Sequence, residues 1–265
     1  MEYTVYQPYE NIYHFRDPLG VNFTLVKGDK LAILLDTGYG LGNIRELIEN
    51  IITTPYVVIN SHGHMDHTCG NYLFDTVYIN QVDNDLCINH NGINRRLENI
   101  ERAKSSGLID NDYDVDNYIN KGPGNLKPLN LNERIDLGNL TIKIISMTGH
   151  TKGCIGLLIE EMRLLLSADS AILNIWLFLE ESTSKDEYIK MLERVIEEPF
   201  DNFITGHISR VFPKKYFEYF IEVAKEANVN NSNKIRFKGF ERENTYQYLK
   251  KINNDLIGIS FYQDN

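Results

Sequence analysis

The chain has 265 residues and a formal net charge of −10, so a nucleic-acid-binding surface, which needs a positive footprint, is not expected. A hydrophobic content of 42% with 24% charged residues fits a globular protein with a sizeable core. No apolar stretch is long enough to span a membrane, the N-terminus carries no secretory signal, and the sparse Cys69, Cys87 and Cys154 form no disulfide framework or CxxC motif, which together predict a protein of the reducing cytoplasm.

Taken in order, residues 11–15 and 21–26 read as strands around the turn-like Asp17-Pro18-Leu19-Gly20. A hairpin signal at residues 27–30 leads into the apolar run 31–35, which stops at Asp36-Thr37-Gly38. Residues 43–52 have helical spacing, with Asn43 as N-cap. The β-branched run Tyr56-Val57-Val58-Ile59 is a buried strand, followed after Asn60 by Ser61-His62-Gly63-His64-Met65-Asp66-His67. A short strand is expected over 76–79. Residues 81–127, rich in Asn, Asp and Arg, read as a lid-like insertion with a helix over 94–106, and its His90 reads as a surface residue. Strands resume over 134–137, 140–145, 157–159 and 163–169. Helices are expected over 185–198 and 214–227, with a short strand before His207. The last 35 or so residues read as a helix flanked by strands. The three cysteines read as buried, space-filling thiols.

Residues 62–67 carry four metal-competent side chains in six positions. His62 and His64 are two apart, so on extended backbone they point the same way, while Asp66 and His67 follow where the chain turns toward a second point. Imidazole and carboxylate suit a zinc-like ion. Three further apolar runs stop at one ligand-type residue beside small ones, namely His150, Asp169 and His207. Strand ends converging on one rim are how α/β scaffolds build sites on rigid elements. The apolar stretch 171–179 has three readings: a substrate pocket, a homodimer interface, or a buried element.

The set resembles the metallo-β-lactamase-fold superfamily of metallo-hydrolases, with a glyoxalase-II-like complement of ligands. The matching residues are Leu35-Asp36-Thr37-Gly38, His62-Gly63-His64-Met65-Asp66-His67, residues 149–156 around His150, Asp169, and Gly206-His207. The resemblance implies an α/β (α+β) protein: one αββα four-layer sandwich over 1–265, with the 81–127 insertion and a C-terminal appendage over 230–265. It implies that His62, His64 and His150 hold a first metal, that Asp66, His67 and His207 hold a second, and that Asp169 bridges them. By the same resemblance Asp66 is expected to be the catalytic carboxylate. Asp36 fixes a ligand histidine through its other ring nitrogen, caps local amides, or does both. Trp176 and Phe178 are expected to shape the pocket.

Two departures limit the comparison. The lactonase pattern has a Tyr three residues after the bridging Asp, where this chain has Ile172; and the basic residues that glyoxalase II uses for its glutathione moiety are not evident after His207, where Arg210, Lys214 and Lys215 either bind an anion or simply solvate a helix start. The function implied is a dinuclear zinc-dependent hydrolase that attacks a small ester, thioester, lactone or related bond of a small-molecule substrate with a metal-bridging hydroxide. A mononuclear iron persulfide dioxygenase and a phosphodiesterase or nuclease are the alternatives. Iron and manganese are the alternative metals.

Overall fold

The apolar runs read from the sequence become strands buried on both faces, and these stack into two sheets. The computed structural model describes residues 2–237 and 242–263. The first sheet holds β1 (Thr4–Tyr9), β2 (Ile12–Arg16), β3 (Asn22–Lys27), β4 (Ala32–Leu35), β5 (Tyr56–Ile59), β6 (Val77–Ile79) and β7 (Leu126–Pro128) in sequential order. The second contains β8 (Arg134–Asp136), β9 (Thr141–Ser146), β10 (Ile155–Ile159) and β11 (Leu164–Ala168). After β12 (Asn174–Leu177), which leaves for a third sheet, it gains β13 (Asn202–Thr205) and β14 (Phe212–Pro213), in the order β14-β13-β11-β10-β9-β8.

Between the sheets lies a layer of Ile12, Val26, Ile33 and Ile59 against Ile142, Leu157, Leu164 and Ile204. The outer face of the first sheet is covered by helix α1 (Ile44–Glu49), whose Ile44 and Ile48 meet Phe23, Leu25 and Val58. Asn43 caps it, its side chain accepting from the Glu46 amide. After α2 (Met65–Thr68), α3 (Asn84–His90), α4 (Ile93–Ser105) and α5 (Val115–Ile119) come the two helices that cover the outer face of the second sheet, α6 (Lys185–Val195) and α7 (Tyr216–Glu226). Their Tyr188, Leu192, Phe217 and Phe220 pack on Ile145, Leu158 and Phe203. Helix, sheet, sheet, helix is the αββα order expected from the resemblance.

Parallel pairing decides where the site is. β4, β5 and β6 run parallel, as do β11 and β13, so Asp36, residues 60–67, Asp83, Asp169 and His207 all emerge at one rim. Carboxyl ends of strands are the usual place for a site in such sheets. Residues 81–127 are mostly helical; α4 and α5 pack Ile100, Ala103 and Tyr118 against Tyr39 and Leu41 of the loop after β4.

The C-terminal reading needs correction. Among the described residues the helix expected there is absent, and the chain forms a long hairpin, β16 (Thr245–Ile252) and β17 (Asp255–Tyr262). With β15 (Asn233–Lys234), these join β12 in the third sheet, where β17 runs parallel to β12. The turn is Asn253-Asn254, with Asn253 at φ +55°, a backbone region asparagine tolerates. That dipeptide was the overlooked signal. The apolar 171–179 stretch is therefore partly the strand that seats this hairpin, and no helix among the described residues is long and apolar enough to cross a membrane.

A candidate dinuclear metal centre

All seven candidate ligands gather in one place. Donor atoms of His62, His64 and His150 lie within 4.8 Å of one another, as do those of Asp66, His67 and His207 and those of His62, His67 and Asp169. Four donors about 2.1 Å from a shared ion would lie roughly 3.4 Å apart. The observed spacings bracket that value: 3.0 Å from His62 Nε2 to His64 Nδ1, 3.4 Å from His207 Nε2 to Asp66 Oδ2, and 3.6 Å from His67 Nε2 to Asp66 Oδ2. Asp169 faces both groups, with Oδ2 3.0 Å from His207 Nε2 and 3.8 Å from His150 Nε2, and Oδ1 3.4 Å from His67 Nε2.

The outer nitrogen of every imidazole is tied down. His67 Nδ1 lies 2.8 Å from Asp36 Oδ2, His64 Nε2 2.7 Å from Glu181 Oε1, His150 Nδ1 3.0 Å from the Trp176 carbonyl, and His207 Nδ1 3.1 Å from the Gly20 carbonyl. Carboxylates and carbonyls only accept, so each of these nitrogens carries the proton. His62 follows by one relay: the Ser61 hydroxyl donates to Asp36 Oδ2 at 2.7 Å and is left to accept from His62 Nδ1 at 2.9 Å. In the neutral rings, the five inner nitrogens therefore turn lone pairs toward the centre. His67 Nε2 and Asp169 Oδ1 are buried there without a hydrogen-bond partner. Buried polar atoms normally find a partner, and a cation would supply it. The residues fit a metal pair.

Electrostatics agree. Burial pushes His62 well below the ordinary imidazole range, and burial with the His64 ring takes His150 to about 4. Burial opposes charge on His67 and His207 too, but the Asp169 and Asp66 carboxylates win, drawing His67 well up and His207 to about 10. The second group thus demands positive charge, which metal would provide.

Backbone geometry brings the elements this close. Asp36 at φ +67° and Ala168 at φ +44° sit in the left-handed region immediately before or beside the site, a strained state of order 1–3 kcal/mol each. A Cβ at Gly206 would come 2.2 Å from Asp169 Oδ1, so only glycine lets β13 end against that carboxylate.

Asp36 accepts from the Ser61 amide at 2.7 Å, and its Oδ2 lies 2.8 Å from His67 Nδ1. Trp176 lines a cavity of about 350 Å³ at the centre, with Met65, Ile172 and Leu179. Phe178 does not: it is fully buried behind, its ring 5.3 Å from Trp176, and it borders a neighbouring cavity instead. His90 corrects the reading of a surface residue, because it is half-buried, lines the cavity, and stacks 5.0 Å from His64. Arg210 is engaged with Asp255 at 2.8 Å, and neither it, Lys214 nor Lys215 borders the centre. The three cysteines are buried, as expected of packing thiols.

Two residues escaped the sequence reading. Glu181 holds His64; burial alone would raise its carboxyl, but the His64 hydrogen bond keeps it down at about 2. Asp83, following β6 as Asp36 follows β4, accepts from the Gly63 amide at 2.9 Å, the Gly153 amide at 2.8 Å and the Thr151 hydroxyl at 2.5 Å. It therefore joins the loop of His62 and His64 to the turn of His150. A Cβ at Gly153 would come 2.3 Å from Asp83 Oδ1. Changing Asp83→Ala should weaken metal at the first group about 10–100-fold, as loss of an orienting partner does; competition with a chelator measures it, and unchanged affinity would disprove the linkage.

Comparison with known proteins follows this geometry. The family description "Metallo-beta-lactamase superfamily" matches residues 16–207. The acyl-coenzyme A thioesterase MBLAC2 of Bos taurus is 24% identical over 195 residues, covering 66% of this chain and 67% of that protein. A metallo-beta-lactamase from Pontibacter korlensis superposes with a TM-score of 0.61 at 13% identity, over 85% of this chain and 100% of that one. The sec-alkylsulfatase Pisa1 from Pseudomonas sp. gives 0.60 at 15%, over 84% and 41%. With its strands, its histidines and its family match in agreement, this chain belongs to the metallo-β-lactamase superfamily and is a metal-dependent hydrolase.

Proposed function

We propose that this protein is a dinuclear zinc hydrolase of acyl thioesters. The observation that carries the reading is the orientation of five imidazoles, each anchored at its outer nitrogen and open at its inner one, around a carboxylate that faces both groups. His62, His64 and His150 would hold one ion, Asp66, His67 and His207 the other, and Asp169 both. An all-nitrogen-and-oxygen donor set of this kind suits zinc. When bound, zinc acidifies water to a nucleophile at neutral pH and draws electron density from a carbonyl oxygen.

The chain's own residues supply the rest. Asp66 accepts the proton of the attacking water. Met65, Ile172, Trp176 and Leu179 form an apolar wall for the acyl group and exclude water from it. A thiol of pKa near 8.5 departs as thiolate without a strong acid, which suits a centre whose proton carrier is a single carboxylate. The activity named for MBLAC2 supports a thioester over an ester or lactone.

Elemental analysis of purified protein, beside His67→Ala, tests the centre. About two zincs per chain, falling toward one in the variant, with thioester hydrolysis abolished by chelation, is the expected result. One iron per chain, indifferent to His67→Ala, would overturn it in favour of oxygen chemistry. Trimming the wall should matter as well: Trp176→Ala is expected to lower kcat/KM on a medium-chain thioester about tenfold, since lost apolar contacts of this kind are worth roughly 1–3 kcal/mol. Full efficiency in that variant would remove Trp176 from the pocket.

A further inference from the structure

We infer that the face of α4 carrying Arg95 and Arg102 binds an oxyanion on the thiol half of the substrate, so that the enzyme selects thioesters of anionic thiols over uncharged ones. The inference rests on the thioester reading above and adds the chemistry of the leaving group.

Arg95 and Arg102 are seven residues apart on α4, two helical turns and about 10 Å along one face. Both border the cavity that holds the metal-competent cluster. Arg102 is set in place: its Nη1 donates to the Tyr39 hydroxyl at 2.8 Å and its guanidinium lies 5.1 Å from that ring's centre. Tyr39 is fixed in turn, its carbonyl accepting from the Tyr118 hydroxyl at 2.8 Å. Among the described residues no carboxylate forms an ion pair with Arg102, whose guanidinium donates to the Tyr39 hydroxyl and feels the Asp17 carboxylate only at a distance. Arg95 pairs with Glu98 at 2.9 Å on the exposed side. In a chain of net charge −10, two arginines thus line the cavity that contains the metal-competent cluster. A planar fork of donors is the group that recognises phosphate or carboxylate.

The space beyond has the right extent. A second cavity of about 390 Å³ shares His90, Arg95 and Leu179 with the first, and Arg242 also lines it. Its acidic lining, Glu180 and Glu181, is partly spent, because Glu181 already holds His64. An acyl group against Ile172, Trp176 and Leu179 leaves the thiol arm to run under α4 toward Arg95 and this second space. A short ester or lactone would fill only the first.

The test compares kcat/KM of the zinc-loaded enzyme on three thioesters of one acyl group: coenzyme A (phosphates), glutathione (carboxylates) and N-acetylcysteamine (uncharged). Wild type should favour one of the anionic substrates over the uncharged one by about tenfold or more, as charged hydrogen bonds at a half-exposed site allow. Which one wins assigns the oxyanion. The Arg95→Gln/Arg102→Gln double variant should lose most of that preference, chiefly through KM, whereas Lys104→Gln, which removes a charge elsewhere on α4, should keep it. No preference in wild type, or an undiminished one in the double variant, overturns the inference. Should no thioester be turned over, the thioester reading itself fails. Calorimetric binding of the S-butyl thioethers of coenzyme A and glutathione then still decides the anion site: binding that needs the two arginines retains it, and absent or arginine-independent binding removes it.

Discussion

Replacing Asp169 with asparagine is expected to lower kcat about 10³-fold while the chain stays folded. The substitution preserves size and one acceptor oxygen but deletes the charge facing His67, His150 and His207 at 3.4, 3.8 and 3.0 Å. Charge stabilisation at a metal centre is worth several kcal/mol, and each 1.36 kcal/mol is a decade of rate. On the dinuclear reading proposed above, metal content should fall from about two per chain toward one, because the second group keeps only Asp66 as an anion. Elemental analysis, circular dichroism and steady-state kinetics on one preparation check all three parts. A variant within tenfold of wild type at full metal content would show that Asp169 is not shared between the two groups.

Arg96→Met is expected to destabilise the fold by about 3–5 kcal/mol, a large share of the roughly 5–15 kcal/mol that holds a domain together. Arg96 is the largest fully buried side chain among the described residues. Its guanidinium donates to the carbonyls of Cys69, Asn91 and Gly122 and to Asn91 Oδ1, at 2.7–3.3 Å, and lies 4.9 and 5.3 Å from the Tyr118 and Tyr72 rings. Exchanging a buried ion for a hydrophobe can be neutral when its partner is exchanged with it. Here the partners are backbone oxygens that cannot be exchanged, and each acceptor left without its donor costs about 1–3 kcal/mol. The loss should exceed the gain from burying a thioether. Urea unfolding of the metal-loaded protein measures the change; a shift below about 1 kcal/mol would mean that water replaces the guanidinium. Because Arg96 ties α4 to the end of the α2 segment bearing Asp66 and His67, the variant should also loosen the wall over the cavity.

Much of the candidate site could be read without coordinates because several of its residues follow a run of buried residues. Apolar strands such as Ala32–Leu35 and Leu164–Ala168 cannot bury a polar residue without a partner, so Asp36, His62, His150, Asp169 and His207 stand out where these runs stop. Asp83 and Glu181 carry no such mark. Asp83 looks like one more turn aspartate in an Asn-rich segment, and its value depends on Gly63 and Gly153, 20 and 70 residues away. The same holds for His90, polar by sequence yet stacked on His64 because α3 folds back over α2. Phe178 shows the converse error: an apolar residue two positions from Trp176 is expected on the same side of an extended chain, yet its ring is fully buried behind Trp176 and borders the neighbouring cavity instead.

By itself, then, the sequence marked the buried strands and the seven metal-competent side chains that follow them, because periodicity and burial act locally along the chain, whereas the layering followed from the family resemblance those residues carry. Only the tertiary structure decided which outer nitrogen each imidazole anchors, which loops Asp83 and Arg96 join, and that Arg95 and Arg102 face the cavity. Those are contacts between residues distant in sequence, and a hydrogen bond or a shared wall has no signature in either partner until folding brings the two together.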